Sequence, residues 1–86
     1  MNRRMKRTEE IDRDRQKLQA VAQRALFENY GFKPDRQEII LLDSVDDKEG
    51  NPEYILFRVG PWEYRYEKPS LWSAEEVTKT GRYFAD

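Results

Sequence analysis

The sequence predicts an α+β domain: a long N-terminal helix packed on a three-stranded antiparallel meander, followed by a short C-terminal helix (α-β-β-β-α). Three observations carry that expectation. Residues 54–68 place apolar side chains at alternate positions, Ile55, Phe57 and Val59 before Gly60-Pro61 and Trp62, Tyr64 and Tyr66 after it, the pattern of a β-hairpin with one apolar face. Leu18, Val21, Ala22, Ala25 and Leu26 recur at the i, i+3, i+4, i+7, i+8 spacing of one buried helical stripe. Ser73 and Glu76 have the spacing of a capping box, with Trp72 and Val77 placed as a hydrophobic staple.

The first seven residues carry no hydrophobic periodicity, and residues 1–8 read as a flexible basic arm ahead of one domain spanning 9–86. The helix is expected over 9–30, with Ile11 extending its stripe upstream. Its stop is marked by Gly31 at C′ and Phe32 at C″, where Phe32 is placed to contact Phe27, and Pro34 prevents resumption.

Residues 38–45 (EIILLDSV) are apolar on both faces and form the first expected strand. Either Ile40 and Leu42, or Ile39, Leu41 and Val45, face the helix; the polar loop at 46–53 leaves that register open. In the hairpin, Val59 is expected opposite Trp62, Phe57 opposite Tyr64 and Ile55 opposite Tyr66, all on the inner face. Gly60 supplies the positive φ of a two-residue hairpin loop. The outer face then collects Tyr54, Leu56 and Arg58 against Glu67, Arg65 and Glu63. The C-terminal helix is expected to end near Thr80-Gly81, leaving a Tyr83-Phe84 tail.

Composition narrows the function. The chain has 86 residues, no cysteine and no histidine, so thiolate chemistry, disulfides, the commonest general base and the commonest metal ligand are all missing. A non-enzymatic protein without cofactor or metal is expected. The acidic loop at Asp43, Asp46, Asp47 and Glu49 fails as a calcium loop: with Gly50 at the sixth position, Val45 and Leu56 fall where oxygen ligands are required. No apolar run approaches the ~20 residues that cross a bilayer, and the basic start is followed by acids, so no membrane partner and a cytoplasmic location are expected.

Two element orders invite comparison. Helix–three strands–helix is also the order of double-stranded-RNA-binding domains, but Glu75 and Glu76 stand where that family places lysines. Three strands and a helix is the order of AP2 DNA-binding domains, whose strands carry several arginines; Arg58 and Arg65 alone occur here. The order is shared and the chemistry is not.

Two surfaces remain. The helix covers one face of the sheet, which leaves Tyr54, Leu56, Arg58, Glu63 and Arg65 on an apolar outer face rimmed by charge, the usual form of a protein interface. The leading expectation is therefore a small protein-binding module, an adaptor or inhibitor of the kind found among accessory proteins of mobile genetic elements. Its partner is another protein or a second copy of the chain, unless the C-terminal segment itself folds over the face. The alternative is a nucleic-acid-associated domain using Arg3, Arg4, Lys6, Arg7, Arg13 and Arg15. Residues 1–17 hold seven basic against four acidic residues, and the interleaved acids oppose phosphate binding.

Overall fold

A computed structural model describes residues 8–68 and 75–85, with side chains from Asp14 onward. Helix α1 spans Thr8–Tyr30 and a 3-10 turn, η1, spans Arg36–Glu38. Four strands follow: β1 (Ile39–Asp46), β2 (Pro52–Val59), β3 (Trp62–Glu67) and β4 (Glu76–Tyr83), pairing in the order β1-β2-β3-β4. Every neighbour pair is antiparallel. The architecture is α-β-β-β-β.

The expected C-terminal helix is therefore replaced by a strand, and the sheet has four strands instead of three. The physical reason lies in residues 77–80. Val77, Thr78 and Thr80 are β-branched and stiff at χ1, a property that suits a pleated surface better than a helix. As a strand, this segment places Val77 directly opposite Tyr66, where it is buried. A helix begun at a capping box offers its residues local hydrogen bonds only. Pairing with β3 adds a ladder and buries an apolar side chain. Ser73 and Trp72, the other half of the capping signal, lie outside the described residues. Gly81, expected near a helix end, instead has φ +90 where the β3–β4 register shifts between Trp62 and Tyr64.

The hairpin register matches expectation at each of its six pairs, from Tyr54 opposite Glu67 to Val59 opposite Trp62. Gly60 has φ +59, the sign its turn requires. Gly31 closes α1 with φ +81 and donates its N–H to Phe27 O at 2.8 Å. Phe32 turns toward Tyr64, with ring centroids 6.5 Å apart. The β1–β2 connection is built around Asp47, whose Oδ1 accepts the Glu49 and Asn51 N–H groups at 2.9 Å each, while Oδ2 receives Lys68 Nζ at 2.5 Å.

The core lies between α1 and the inner sheet face. Ala22, Ala25 and Leu26 meet Ile39, Ile55, Phe57, Tyr64, Tyr66 and Val77, with Leu18, Val21, Leu41 and Val59 packed at the margin. Two alanines in the stripe let the helix backbone approach the sheet. Tyr64 stacks on Phe57 at 5.6 Å and meets Tyr30 edge-on at 5.8 Å. Trp62 departs from expectation. It is 38% exposed, because Tyr30 already ends the helix at the level of Tyr64, two residues short of Trp62 along the strand. Lys79 Nζ instead lies 3.9 Å from the Trp62 ring centre, and Tyr83 meets the indole edge-on at 5.0 Å.

β1 resolves its register in a way neither alternative anticipated. Ile39 and Leu41 face inward opposite Val59 and Phe57, but a bulge at Leu42 makes Asp43 the partner of Leu56. Beyond it the parity inverts, so Ser44 turns inward while Asp43 and Val45 join Ile40 on the outer face. Both expected sets assumed unbroken alternation.

Candidate functional site

The outer face is built by alternation alone. Ile40, Asp43 and Val45 come from β1; Tyr54, Leu56 and Arg58 from β2; Glu63, Arg65 and Glu67 from β3; Thr78 and Thr80 from β4. All five expected docking residues, Tyr54, Leu56, Arg58, Glu63 and Arg65, are thus on one surface, opposite to α1. They do not form one uniform patch.

At the loop end, the face is apolar and open. Ile40 is 44% and Val45 49% exposed, beside the half-buried Tyr54 and Leu56. Arg65 is exposed and holds Glu67 at 2.8 Å. At the hairpin end, the chain covers itself. Past Tyr83, Phe84 donates its N–H to Pro61 O at 2.7 Å, and its ring centre lies 5.1 Å from the Arg58 guanidinium carbon and 4.7 Å from that of Arg82. At exposed sites such cation–π contacts contribute about 0.5–1 kcal/mol each.

Glu63 is only 5% exposed. Its Oε1 accepts the Thr80 hydroxyl at 2.7 Å, whereas Oε2 has no hydrogen-bond donor and lies 3.9 Å from Arg82 Nη1. Glu63 is therefore a buried group and not the rim residue its place in the hairpin suggests. A C-terminal helix and tail would not bring Thr80, Arg82 and Phe84 to this face. The β-branched residues Val77, Thr78 and Thr80 are the sequence signal for the strand that does.

Both edges of the sheet are partly capped by side chains. On the β1 edge, Gln19 Nε2 donates to Ile39 O at 3.0 Å, Asp43 Oδ1 accepts the Ser44 N–H at 2.9 Å, and the bulge interrupts the row. On the β4 edge, the Tyr30 hydroxyl takes the Lys79 N–H at 3.0 Å and Thr80 Oγ1 takes that of Arg82 at 3.3 Å. Capped and bulged edges are how natural sheets avoid pairing with a foreign strand.

Of the expected nucleic-acid residues, Arg15 alone has a described side chain. Arg3, Arg4, Lys6 and Arg7 lie outside the described residues, and Arg13 lies in α1 ahead of the described side chains. Arg15 is exposed beside a cleft of about 440 Å³ between α1 and β1, floored by Leu18, Leu41, Leu42 and Pro52. A second groove, of about 370 Å³, is lined by Arg24, Lys33, Arg36, Gln23 and Phe27 and by no carboxylate. Gln23 holds its wall by donating to Pro34 O at 2.8 Å and accepting Arg36 Nε at 3.4 Å. Among the described residues, no group of three or more acidic side chains is arranged to hold a metal, and no helix is long and apolar enough to cross a membrane.

One polar cluster ties the helix to the last strand. Glu75 Oε2 accepts the Tyr66 hydroxyl at 2.6 Å and Arg24 Nη2 at 2.7 Å, while Asn29 bonds Ala25 O at 2.8 Å and Glu75 O at 3.4 Å. Burial, then the bond to Glu75, holds the Tyr66 phenol protonated well above its ordinary range. Burial acts in the same direction on Tyr64. The folded protein binds these protons more tightly than the unfolded chain, so the contribution is complete below pH ~10 and is lost as pH rises beyond it. In melts from pH 8 to 11, Tyr66→Phe is expected to lose less of its melting temperature than the wild type. Parallel losses would remove the phenol from the alkaline limit.

No protein-family model, curated protein or solved structure matches this chain.

Proposed function

We propose that this chain is a non-enzymatic protein-binding module, an adaptor or inhibitor, that docks on another protein through the outer face of its sheet. The observation that carries this reading is the open half of that face. Ile40 and Val45 are exposed beside Leu56 and Tyr54, opposite to the only layer that α1 can supply. Such an apolar surface with charge at its rim gains by burial against a partner. The bulge in β1 and the side-chain bonds on both edges disfavour strand addition and so support docking through the face.

Leu56→Glu tests it. Leu56 is half-exposed on an interior strand, so a carboxylate there can remain hydrated and should cost the free protein at most about 1 kcal/mol. Against a docked partner the same carboxylate is buried without a counter-charge, which costs several kcal/mol. A pull-down from the native host with mass spectrometry should recover a protein with the wild-type bait and lose it with Leu56→Glu, while the urea midpoint stays near wild type. Recovery of the same protein by both baits would end the reading.

A second reading is favoured by the groove of Lys33 and Arg36, with Phe27 half-exposed at its rim and Arg24, paired to Glu75, at its wall. Cations beside an aromatic ring suit single-stranded nucleic acid. Binding of an oligonucleotide would then weaken steeply with salt, and Lys33→Glu with Arg36→Glu would abolish it. No gel shift at low salt would dispose of this reading, including the contribution of the basic arm.

A further inference from the structure

Strand β1 is an edge of the sheet, and it exposes aliphatic side chains on both of its sides. Ile40 and Val45 open onto the outer face, whereas Leu42, the bulged residue, lines the cleft of about 440 Å³ between α1 and β1. A cleft of that size admits a small ligand or one long side chain. Leu18, Leu41 and Pro52 complete its apolar floor. The bulge also sets its polar rim, because Ser44 turns to this side between the exposed Asp43 and Asp46. On the opposite wall, Asp14 and Arg15 are of opposite charge, and Lys17 Nζ donates to Gly50 O at 3.2 Å.

We propose that this cleft takes a lysine side chain of the docking partner, with its alkyl stem on the leucine floor and its ammonium at Asp43, Ser44 and Asp46. The inference rests on the docking face proposed above and names a residue that the partner carries past the border of that face. Ile40 and Val45 bring the partner to β1, and no further strand of the sheet flanks β1 on the cleft side. Charge and shape decide between side chains. An acidic residue would meet two carboxylates on the β1 rim. A leucine or methionine would cover the floor and add nothing at the carboxylates. A lysine does both, because its stem lies along apolar surface while its head stays at the hydrated rim. Arginine suits the cleft less well. Its planar fork matches one carboxylate, whereas the three rotatable donors of an ammonium can meet the separate acceptors of Asp43, Ser44 and Asp46.

NMR titration of the full chain with N-acetyllysinamide, N-acetylnorleucinamide and N-acetyldiaminobutyramide separates stem from charge. The lysine probe should shift the amides of Leu42, Ser44 and Asp46. At low salt it should bind about threefold more tightly than the uncharged norleucine probe, the worth of an exposed ion pair. It should bind about fivefold more tightly than the diaminobutyrate probe, whose ammonium stands on a shorter stem. The preference over norleucine should fade at high salt and vanish when Asp43→Asn and Asp46→Asn are combined, since both positions are exposed and the fold tolerates the change. Norleucine binding as tightly as lysine would overturn the proposal, and so would diaminobutyrate binding as tightly, which marks charge alone. Leu56→Glu lies on the outer face and leaves the probe preference intact. Partner capture lost in that variant without a lysine preference therefore keeps the docking face and removes the lysine site. A lysine preference with partner capture undisturbed by Leu56→Glu supports the lysine site and removes the docking face.

Discussion

Phe57→Ala should unfold this domain, or leave it marginal, at a cost of about 3–5 kcal/mol, the range for removing a fully buried aromatic ring. Phe57 has no exposed surface, stacks on Tyr64, and stands on an interior strand between Leu41 of β1 and Tyr64 of β3. A domain of this size has few other large side chains to close the cavity, and single-domain stabilities of about 5–15 kcal/mol leave little reserve. Trp62→Ala is the matched control. Its ring is larger but partly exposed and held by Lys79 and Tyr83 near the surface, so about 1–2 kcal/mol is expected. Urea melts of the two variants check the order. A Trp62 variant less stable than the Phe57 variant would move the centre of the core toward the hairpin tip.

Val77→Asp tests the fourth strand. Val77 is buried opposite Tyr66, in the last strand of the sheet. A carboxylate at that point enters the apolar core beside Tyr66; it either stays ionised in low dielectric or takes up a proton, and both cost several kcal/mol. Thr78→Asp, one residue along, is turned to the outer face opposite Arg65 and should cost less than about 1 kcal/mol. The contrast between adjacent residues is the signature of a strand with one covered face. Equal losses at 77 and 78 would contradict β4.

These two predictions depend on different kinds of information. The Phe57 result follows from the hairpin, whose register the sequence already contains. A one-residue slip would turn Glu63, Arg65 and Glu67 toward the helix, and Gly60 allows a turn only where the pattern needs one. The end of α1 is legible for a similar reason, since Gly31 takes a left-handed conformation that a residue with a Cβ resists. Such features are set by neighbours in sequence, over lengths at which side-chain period and backbone preference are decisive.

The rest needed three dimensions. Strand β4 exists because Val77 finds Tyr66 across the ladder, and that gain overrides a local capping signal whose first residue is Ser73. The bulge at Leu42 satisfies two constraints that alternation cannot meet together: Ile39 and Leu41 under the helix, Ser44 inward opposite Ile55. Trp62 is exposed because the helix stops at Tyr30, a matter of how two elements of different length overlap. Of the proposed docking face, alternation across a strand already places Tyr54, Leu56, Arg58, Glu63 and Arg65 on one side. That Glu63 and Arg58 are taken up by Thr80, Arg82 and Phe84 while Ile40 and Val45 stay open is a matter of tertiary packing. Periodicity states the side on which a residue lies; burial depends on what later chain returns to cover that side.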